Sequence, residues 1–299
     1  MQIINQIKQD IFSANGKLID NFYLIREKRG VHVYKCVYDG ISAVVKYFEN
    51  EDDKREIKNY RILKKHNIPT IRILAYGFSS IVMEDITVSD NWRLGIAEDL
   101  HDADIAESVA DWYFTFHENG ISVTELKTLY FEYDEITEEN IKMLCKKFPE
   151  TTDTFSYIIT KHDKLRKLID KPSYTLVYND FYWTNFIVQK DKRQAIVFDY
   201  NLLGKGYRYS DIRNVCSSLS EEAGKIFVDE YNRLYVNKYG MNRTKEEYTE
   251  KQIDDICGPL FSLIYHVKPK IDFESGNLPE WAKEISDGTL LHRAKKLLE

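Results

Sequence analysis

The chain has 299 residues, 43% of them apolar and 13% aromatic, enough for a substantial core in one large domain or two moderate ones. Gly and Pro are sparse, at 13 and 6, and 30% of residues are charged, so no long low-complexity linker is expected. The net charge of −6 argues against a nucleic-acid binder, the four cysteines form no C-x-x-C pair of the kind a zinc site uses, and no apolar run reaches membrane-spanning length.

The opening "MQIINQIKQDIFSANG" lacks a basic segment followed by an apolar run, so no secretory leader is expected. A cytoplasmic chain with reduced thiols is the expectation. "NFYLIREKR" reads as a strand. "GVHVYKCVYDGISAVVKYF" is two alternating runs around Asp39-Gly40, a strong hairpin signal. "EDDKREIKNYRILKKHNIP" then reads as a helix, with acidic residues toward its start, Lys64, Lys65 and His66 at its end, and Pro69 beyond the stop. "IRILAYGFSSIVMEDI" supplies two short strands around Gly77.

From about residue 97 the periodicity becomes helical. "AEDLHDADIAESVADWYFTFHENG" has Ile105, Val109, Trp112, Tyr113 and Phe116 on one face and ends on Gly120. Helices are predicted near 137–148, 151–170, 210–238, 245–266 and 279–298, interrupted by short strands at 175–199. The expected architecture is therefore an α+β, two-lobe fold. Residues 1–85 form a small antiparallel-sheet lobe with one helix, and residues 86–299 a larger, mostly helical lobe. A cleft between unequal lobes is a common ligand site.

One short stretch carries the chemistry. "YNDFYWTNFIV" sets Asp180 and Asn185 five apart on a connection between two apolar runs. That spacing alone is weak, since Asp10/Asn15 and Asp272/Asn277 repeat it. Its context is what matters. The next strand, "QAIVF", runs to Asp199, and a hairpin through "QKDKRQ" brings Asp199 alongside Asn185. Two carboxylates and one amide oxygen then meet at one end of a small sheet.

Phosphoryl transfer of the protein-kinase type needs this set: Asp180 to accept a hydroxyl proton, and Asn185 and Asp199 to hold Mg²⁺ on nucleotide phosphates. It also needs a strand lysine paired with a helix glutamate. "AVVKYF" offers Lys46, which taken alone reads as an edge lysine pointing to solvent. Glu56 shares a helix face with Tyr60 and Leu63, though taken alone it reads as a surface glutamate. The linker at Glu84, Asp85 and Ile86 has backbone groups to hydrogen-bond a purine. "REKRGVHVY" holds only Gly30 and nothing like G-x-G-x-x-G; backbone amides near Arg29 and Gly30, with the charge of Lys28 and Arg29, are the alternative to a plain turn.

With those motifs in this order, the chain resembles the aminoglycoside phosphotransferase and choline kinase superfamily of small-molecule kinases. "YNDFYWTN", "IVFDYNLLGKGYRYSDI", "AVVKYF", "REIKNYRILKKHNIPT" and "IVMEDI" carry the resemblance, and "VADWYFTFHENG" looks like the family's helix ending in His; it covers roughly residues 20–235. It implies a protein-kinase-like fold that transfers the γ-phosphate of ATP or GTP to a small-molecule hydroxyl, with Asp180 as base, Asn185 and Asp199 as Mg²⁺ ligands, Lys46 on the phosphates and Glu56 as its partner. Asp211 matches the family's bracing aspartate. The chain departs from the family at Tyr178, where His is usual, and at Asn179, where Gly is common.

The acceptor is less legible. Residues 83–118 hold one basic side chain, Arg93, and 10 acidic ones. Glu98, Asp99, Asp102 and Asp104 are either a solvated helix start or a wall that attracts a polycation. Tyr182 and Trp183 either pack on the lobe or cage a quaternary ammonium. Asp254, Asp255, Tyr265 and His266 are further candidates. The expected partner is a hydroxyl acceptor, cationic if the enzyme acts on aminoglycoside-type antibiotics, with no membrane or nucleic acid, on a monomer or weak dimer. The alternatives are a housekeeping kinase for choline, a sugar or an amino alcohol, and a nucleotide-binding pseudokinase. The intact Lys46, Asp180, Asn185 and Asp199 set weighs against the last.

Overall fold

A computed structural model describes residues 2–268 and 278–299; the Asp272/Asn277 pair lies outside the described residues. The N-terminal lobe is a five-stranded antiparallel sheet of β1 (Ile19–Lys28), β2 (Val31–Tyr38), β3 (Ile41–Phe48), β4 (Ile73–Tyr76) and β5 (Ser80–Glu84), ordered β1-β2-β3-β5-β4. Asp39 and Gly40 both have positive φ, 51° and 81°, so β2 and β3 join through the two-residue turn that their sequence indicates.

Alternation fixes the two faces of the sheet. In β3, Ala43, Val45 and Tyr47 are buried with Tyr34, Cys36 and Tyr38 of β2 against α1 (Gln2–Asn15), through Ile7 and Ile11. Val44, Lys46 and Phe48 face the other way. The sequence reading missed α1, so this lobe has two helices and not one. Asp10 of α1 accepts from the Phe78 and Ser79 amides, at 2.7 and 2.9 Å, and so stiffens the β4–β5 turn.

Helix α2 (Arg55–Lys65) starts later than expected, after turns that hold Glu51, Asp52 and Asp53. It buries Glu56, Ile57, Tyr60 and Leu63. The larger lobe is built on α3 (Ala103–Gly120), followed by α4 (Glu138–Lys147), α5 (Thr152–Thr160) and α6 (His162–Ile169). The expected helix over 210–238 is two helices, α7 (Arg208–Ser218) and α8 (Glu221–Tyr239). The break falls where the Ser220 side chain caps the second at Ala223 N–H. Helices α9 (Thr244–Val267), α10 (Lys283–Ser286) and α11 (Thr289–Leu298) complete it.

Five short strands sit within this lobe: β6 (Trp92–Leu94), β7 (Thr175–Val177), β8 (Phe186–Gln189), β9 (Ala195–Val197) and β10 (Gly204–Gly206). β8 and β9 form the expected hairpin, with β6 added at its edge and β7 paired to β10. The four cysteines are free thiols. No described helix is long and apolar enough to cross a membrane.

Candidate active site

Strand alternation turns Lys46 off the α1 face and toward Asp199. Its Nζ lies 2.6 Å from Glu56 Oε2 and 2.8 Å from Asp199 Oδ1. Burial opposes the Lys46 charge, but the Glu56 and Asp199 carboxylates outweigh it and hold the ammonium above its ordinary pKa. Burial pushes Glu56 up to about 7, with Lys46 pulling it down and the Asp199 charge adding to the rise. Glu56 Oε1 has no partner among the described residues.

Asp180 and Asn185 meet, as their spacing suggested. Asn185 Nδ2 donates to Asp180 Oδ2 and to the Asp180 carbonyl, both at 3.0 Å. Burial raises the Asp180 carboxyl to about 6, and the Asp199 charge adds to it, while the Asn185 hydrogen bond, Lys46 and Lys28 pull it down.

The β1–β2 hairpin contains no glycine-rich loop. Lys28 pairs with Val31 across a two-residue turn, and Arg29 and Gly30 have φ of 52° and 79°. Glu49 N–H donates to the Gly30 carbonyl at 2.9 Å, and Asn50 Nδ2 to the Arg29 carbonyl at 3.0 Å. A Cβ at Gly30 would meet Asn50 Nδ2 at 2.8 Å in a backbone conformation that disfavours side chains.

Between the lobes, the Asp85 side chain accepts from Lys35 at 2.8 Å, Ser42 at 2.7 Å and the Thr87 amide at 3.0 Å. Burial works against its charge, but these partners outweigh burial and bring the carboxyl down to about 2. Asp85 thus caps the short 3-10 turn Ile86–Val88. Glu84 N–H and Oε1 bond the Arg72 backbone, at 3.0 and 2.9 Å.

Two braces hold the loop that carries Asp180. From below, Asp211 accepts from the Tyr178 and Asn179 amides, at 2.8 and 3.0 Å, and meets His117 Nε2 at 3.1 Å. His117 Nδ1 lies 2.8 Å from the Tyr231 hydroxyl, which accepts from Arg208 Nη1 at 3.0 Å. From the side, Asn214 Oδ1 accepts the Phe181 amide at 2.8 Å. Asn179 has a φ of 67°, a conformation that Asn tolerates better than most non-glycine residues.

The Asp199 segment is tied to α2. Asn59 Nδ2 donates to the Tyr200 carbonyl at 2.7 Å, and the Asp199 amide donates to the Tyr60 hydroxyl at 3.1 Å. The sequence reading did not assign Asn59, Asn214 or Tyr231. Asn59 lies three residues after Glu56, and Asn214 three after Asp211, so helical spacing held a signal for both.

The donor set suits Mg²⁺. Asn185 spends its Nδ2 on Asp180, while its Oδ1 accepts from the Thr184 hydroxyl at 3.2 Å and keeps a second lone pair, and Asp199 spends Oδ1 on Lys46, leaving Oδ2. Two hard oxygens from protein, with the rest from phosphates and water, is the usual Mg²⁺ arrangement at a nucleotide. Among the described residues no cluster of three or more His, Cys, Asp or Glu offers a closed all-protein site.

Much of the acidic belt serves structure. Asp99 is bidentate to Arg93, at 2.6 and 2.7 Å, and Asp102 caps the Ile105 amide at 3.2 Å while pairing with Lys192. Asp254 is held by Arg213 at 2.5 Å and by Tyr133. Glu132 is different. It has no hydrogen bond or ion pair among the described residues, and burial pushes it up to about 7, Arg213 opposing and Asp254 adding.

Solved structures share this architecture. The choline kinase LicA from Streptococcus pneumoniae has a TM-score of 0.60 at 14% identity, over 99% of both chains. Macrolide 2'-phosphotransferase MphH from Brachybacterium faecium has a TM-score of 0.60 at 11% identity, over 97% of this chain and 98% of that one. Spectinomycin phosphotransferase APH(9)-Ia, in complex with ADP and spectinomycin, has 0.56 at 14%, over 95% and 98%. At these identities the likeness is one of fold. No curated protein sequence matches the chain. The profile of the phosphotransferase enzyme family matches residues 25–246, most of the chain, and the chain belongs to that family.

Proposed function

We propose that this phosphotransferase moves the γ-phosphate of a nucleoside triphosphate onto a hydroxyl of a small molecule, with residues 1–85 as the nucleotide lobe and residues 86–299 as the catalytic and acceptor lobe. The observation that carries this reading is Lys46 Nζ bridging Glu56 and Asp199 at 2.6 and 2.8 Å, beside the Asp180–Asn185 contact.

Asp180 accepts the acceptor's hydroxyl proton. Asn185 orients Asp180 through Nδ2. The Asn185 amide oxygen and the Asp199 carboxylate would hold the metal. Lys46 binds phosphate oxygens, and Glu56 holds it in place. Mg²⁺, when bound, neutralises charge on the nucleotide phosphates. Lys28, Arg29 and Gly30 add positive charge and backbone amides above the phosphates, and Glu84, Asp85 and Ile86 present backbone to the base. ATP is the donor we favour over GTP, supported by adenine nucleotides in the structures of spectinomycin phosphotransferase.

For the acceptor we favour a molecule with an ammonium group, because Glu132 is a half-buried carboxyl with no partner of its own. This fits an aminoglycoside-type antibiotic, choline or an amino alcohol; a neutral sugar leaves Glu132 uncompensated. The test is nucleoside diphosphate release with Mg²⁺ across a panel of these acceptors, with Asp180→Ala as control. Acceptor-stimulated release that disappears in the variant supports the assignment. Stimulated release at the wild-type rate in Asp180→Ala removes Asp180 as the base.

A further inference from the structure

A cavity of about 450 Å³ opens on the larger lobe, between the Lys171–Thr175 segment, the end of α8 and the first turns of α9. None of Lys46, Asp180, Asn185 or Asp199 lines it. Its walls are cationic in a chain whose net charge is −6: Lys171, Arg208, Arg243 and Lys245 stand against Glu246 and Glu250. Glu250 is already engaged, by Arg243 Nη2 at 2.9 Å and the Tyr209 amide at 3.0 Å. Lys171 and Lys245 pair with no carboxylate among the described residues.

Two further observations point to an anion. Arg243 is only 2% exposed, yet its Nη1 has no hydrogen-bond partner among the described residues. A buried guanidinium donor left unpaired is costly, and an oxyanion is its natural acceptor. Lys245 and Glu246 belong to the first turn of α9, a helix of 24 residues, and both line the cavity, which sets it at the positive dipole end of that helix. Arg208 is paired with Glu118 and Arg243 Nη2 with Glu250, and Glu246 also faces the space, so Lys171, Lys245 and the unpaired Arg243 Nη1 are the donors left for a phosphate group.

The cavity is wired to the catalytic loop. Arg208 donates to the Tyr231 hydroxyl, Tyr231 meets His117, and His117 meets Asp211, which holds the Tyr178 and Asn179 amides. Thr175, also in the cavity wall, donates to the His117 carbonyl at 2.6 Å and begins the strand that leads into the loop.

We propose that this cavity is a regulatory site for a small phosphate-bearing molecule, and that its occupancy is transmitted to the Asp180 loop through Arg208, Tyr231, His117 and Asp211. Occupancy stands independently of the kinase reading; the consequence for turnover rests on it.

The probe is inorganic phosphate at millimolar concentration, on nucleotide-free protein in EDTA, with chloride matching the ionic strength. Phosphate raises the thermal midpoint of the wild type. It also slows hydrogen exchange in a peptide spanning residues 174–186, by about threefold. The Lys171→Ala/Lys245→Ala variant loses both effects, which separates specific binding from general stabilisation by phosphate as a salt. The Lys46→Ala variant keeps both, which separates this cavity from the nucleotide site. In Tyr231→Phe the midpoint shift remains and the loop protection is lost. An equal midpoint shift in the double lysine variant, or loss of the shift in Lys46→Ala, overturns the site. Full loop protection in Tyr231→Phe overturns the route. None of these readouts uses turnover, so a failure here is distinct from a failure of the kinase assignment.

Discussion

The Tyr178 hydroxyl donates to the Phe198 carbonyl at 2.5 Å, joining the residue two before Asp180 to the residue just before Asp199. The Tyr178 ring is fully buried and packs edge-on against Tyr200, with centroids 5.4 Å apart. The tyrosine is therefore a direct link between the Asp180 and Asp199 segments. Tyr178→Phe keeps the ring and removes the link. We expect a stability loss of about 1 kcal/mol by chemical denaturation. We also expect kcat to fall about tenfold with little change in nucleotide KM, because Asp180 and Asp199 lose their common reference. Unchanged kcat would show that ring packing alone sets the spacing.

Lys46 meets two carboxylates, so its loss and the loss of Glu56 should differ. Lys46→Met removes the cation from the proposed phosphate site, and kcat should fall on the order of 10²–10³-fold, as for loss of a preorganised charge donor. Glu56→Gln keeps a hydrogen-bonding group beside Lys46 and leaves Asp199 in contact with it. Its kcat should fall clearly less. Steady-state kinetics on both variants with one acceptor decide this, and equal losses would mean that Glu56 does more than hold Lys46.

The parts of this site that the sequence disclosed were those fixed by local pattern. Alternation in "AVVKYF" sends Lys46 off the α1 face, and the turn through "QKDKRQ" brings Asp199 beside Asn185. What the sequence hid depends on distant contacts. Asn59 and Tyr60 reach the Asp199–Tyr200 backbone across 139 residues or more, and no local rule announces that. Helix α1 was legible and overlooked: Ile4, Ile7 and Ile11 have helical spacing, but the stretch was weighed only as a leader. The single helix expected at 210–238 failed on one residue, because Ser220 is both a tolerable helix residue and a good cap.

Glu132 tests the acceptor. If it faces an ammonium group, Glu132→Gln should raise the acceptor KM about tenfold, the scale of one charged hydrogen bond, and leave the nucleotide KM alone. A cationic and an uncharged acceptor should be compared on the same variant. Equal KM values for both in wild type and variant would remove Glu132 from acceptor recognition.

Gly204 lies where the loop after Asp199 meets Tyr130. A Cβ there would sit 2.4 Å from the Tyr130 carbonyl, and Lys205 N–H donates to that same oxygen at 2.8 Å. Backbone must move, so Gly204→Ala should cost about 1–3 kcal/mol. Gly224 in α8 is the contrast, since its nearest neighbour would be Cys216 Sγ at 4.0 Å. Gly224→Ala should stabilise by about 0.5–1 kcal/mol through helix propensity. Denaturant midpoints of the pair test whether close approach, and not glycine content, governs these sites.

His117 gives the fold a pH dependence of known sign. Burial lowers it from its ordinary 6.5 to about 4, with Asp211 opposing and Arg208 and Arg243 adding to the fall. Between pH 6.5 and 4 the unfolded chain therefore binds a proton that the folded chain does not. Unfolding free energy then rises with pH across that window, and this contribution is lost progressively as pH falls from 6.5 toward 4. The shift corresponds to roughly 3 kcal/mol. Neutral His117 fits its partners, with Nε2–H donating to Asp211 and Nδ1 accepting from Tyr231. His117→Gln keeps a donor toward Asp211 and has nothing to titrate. Denaturant unfolding at several pH values should show a shallower fall in the variant, the two curves converging toward pH 4. Parallel curves would mean that His117 is charged in the folded state, and that the chain from Arg208 to Asp211 runs with the opposite proton order.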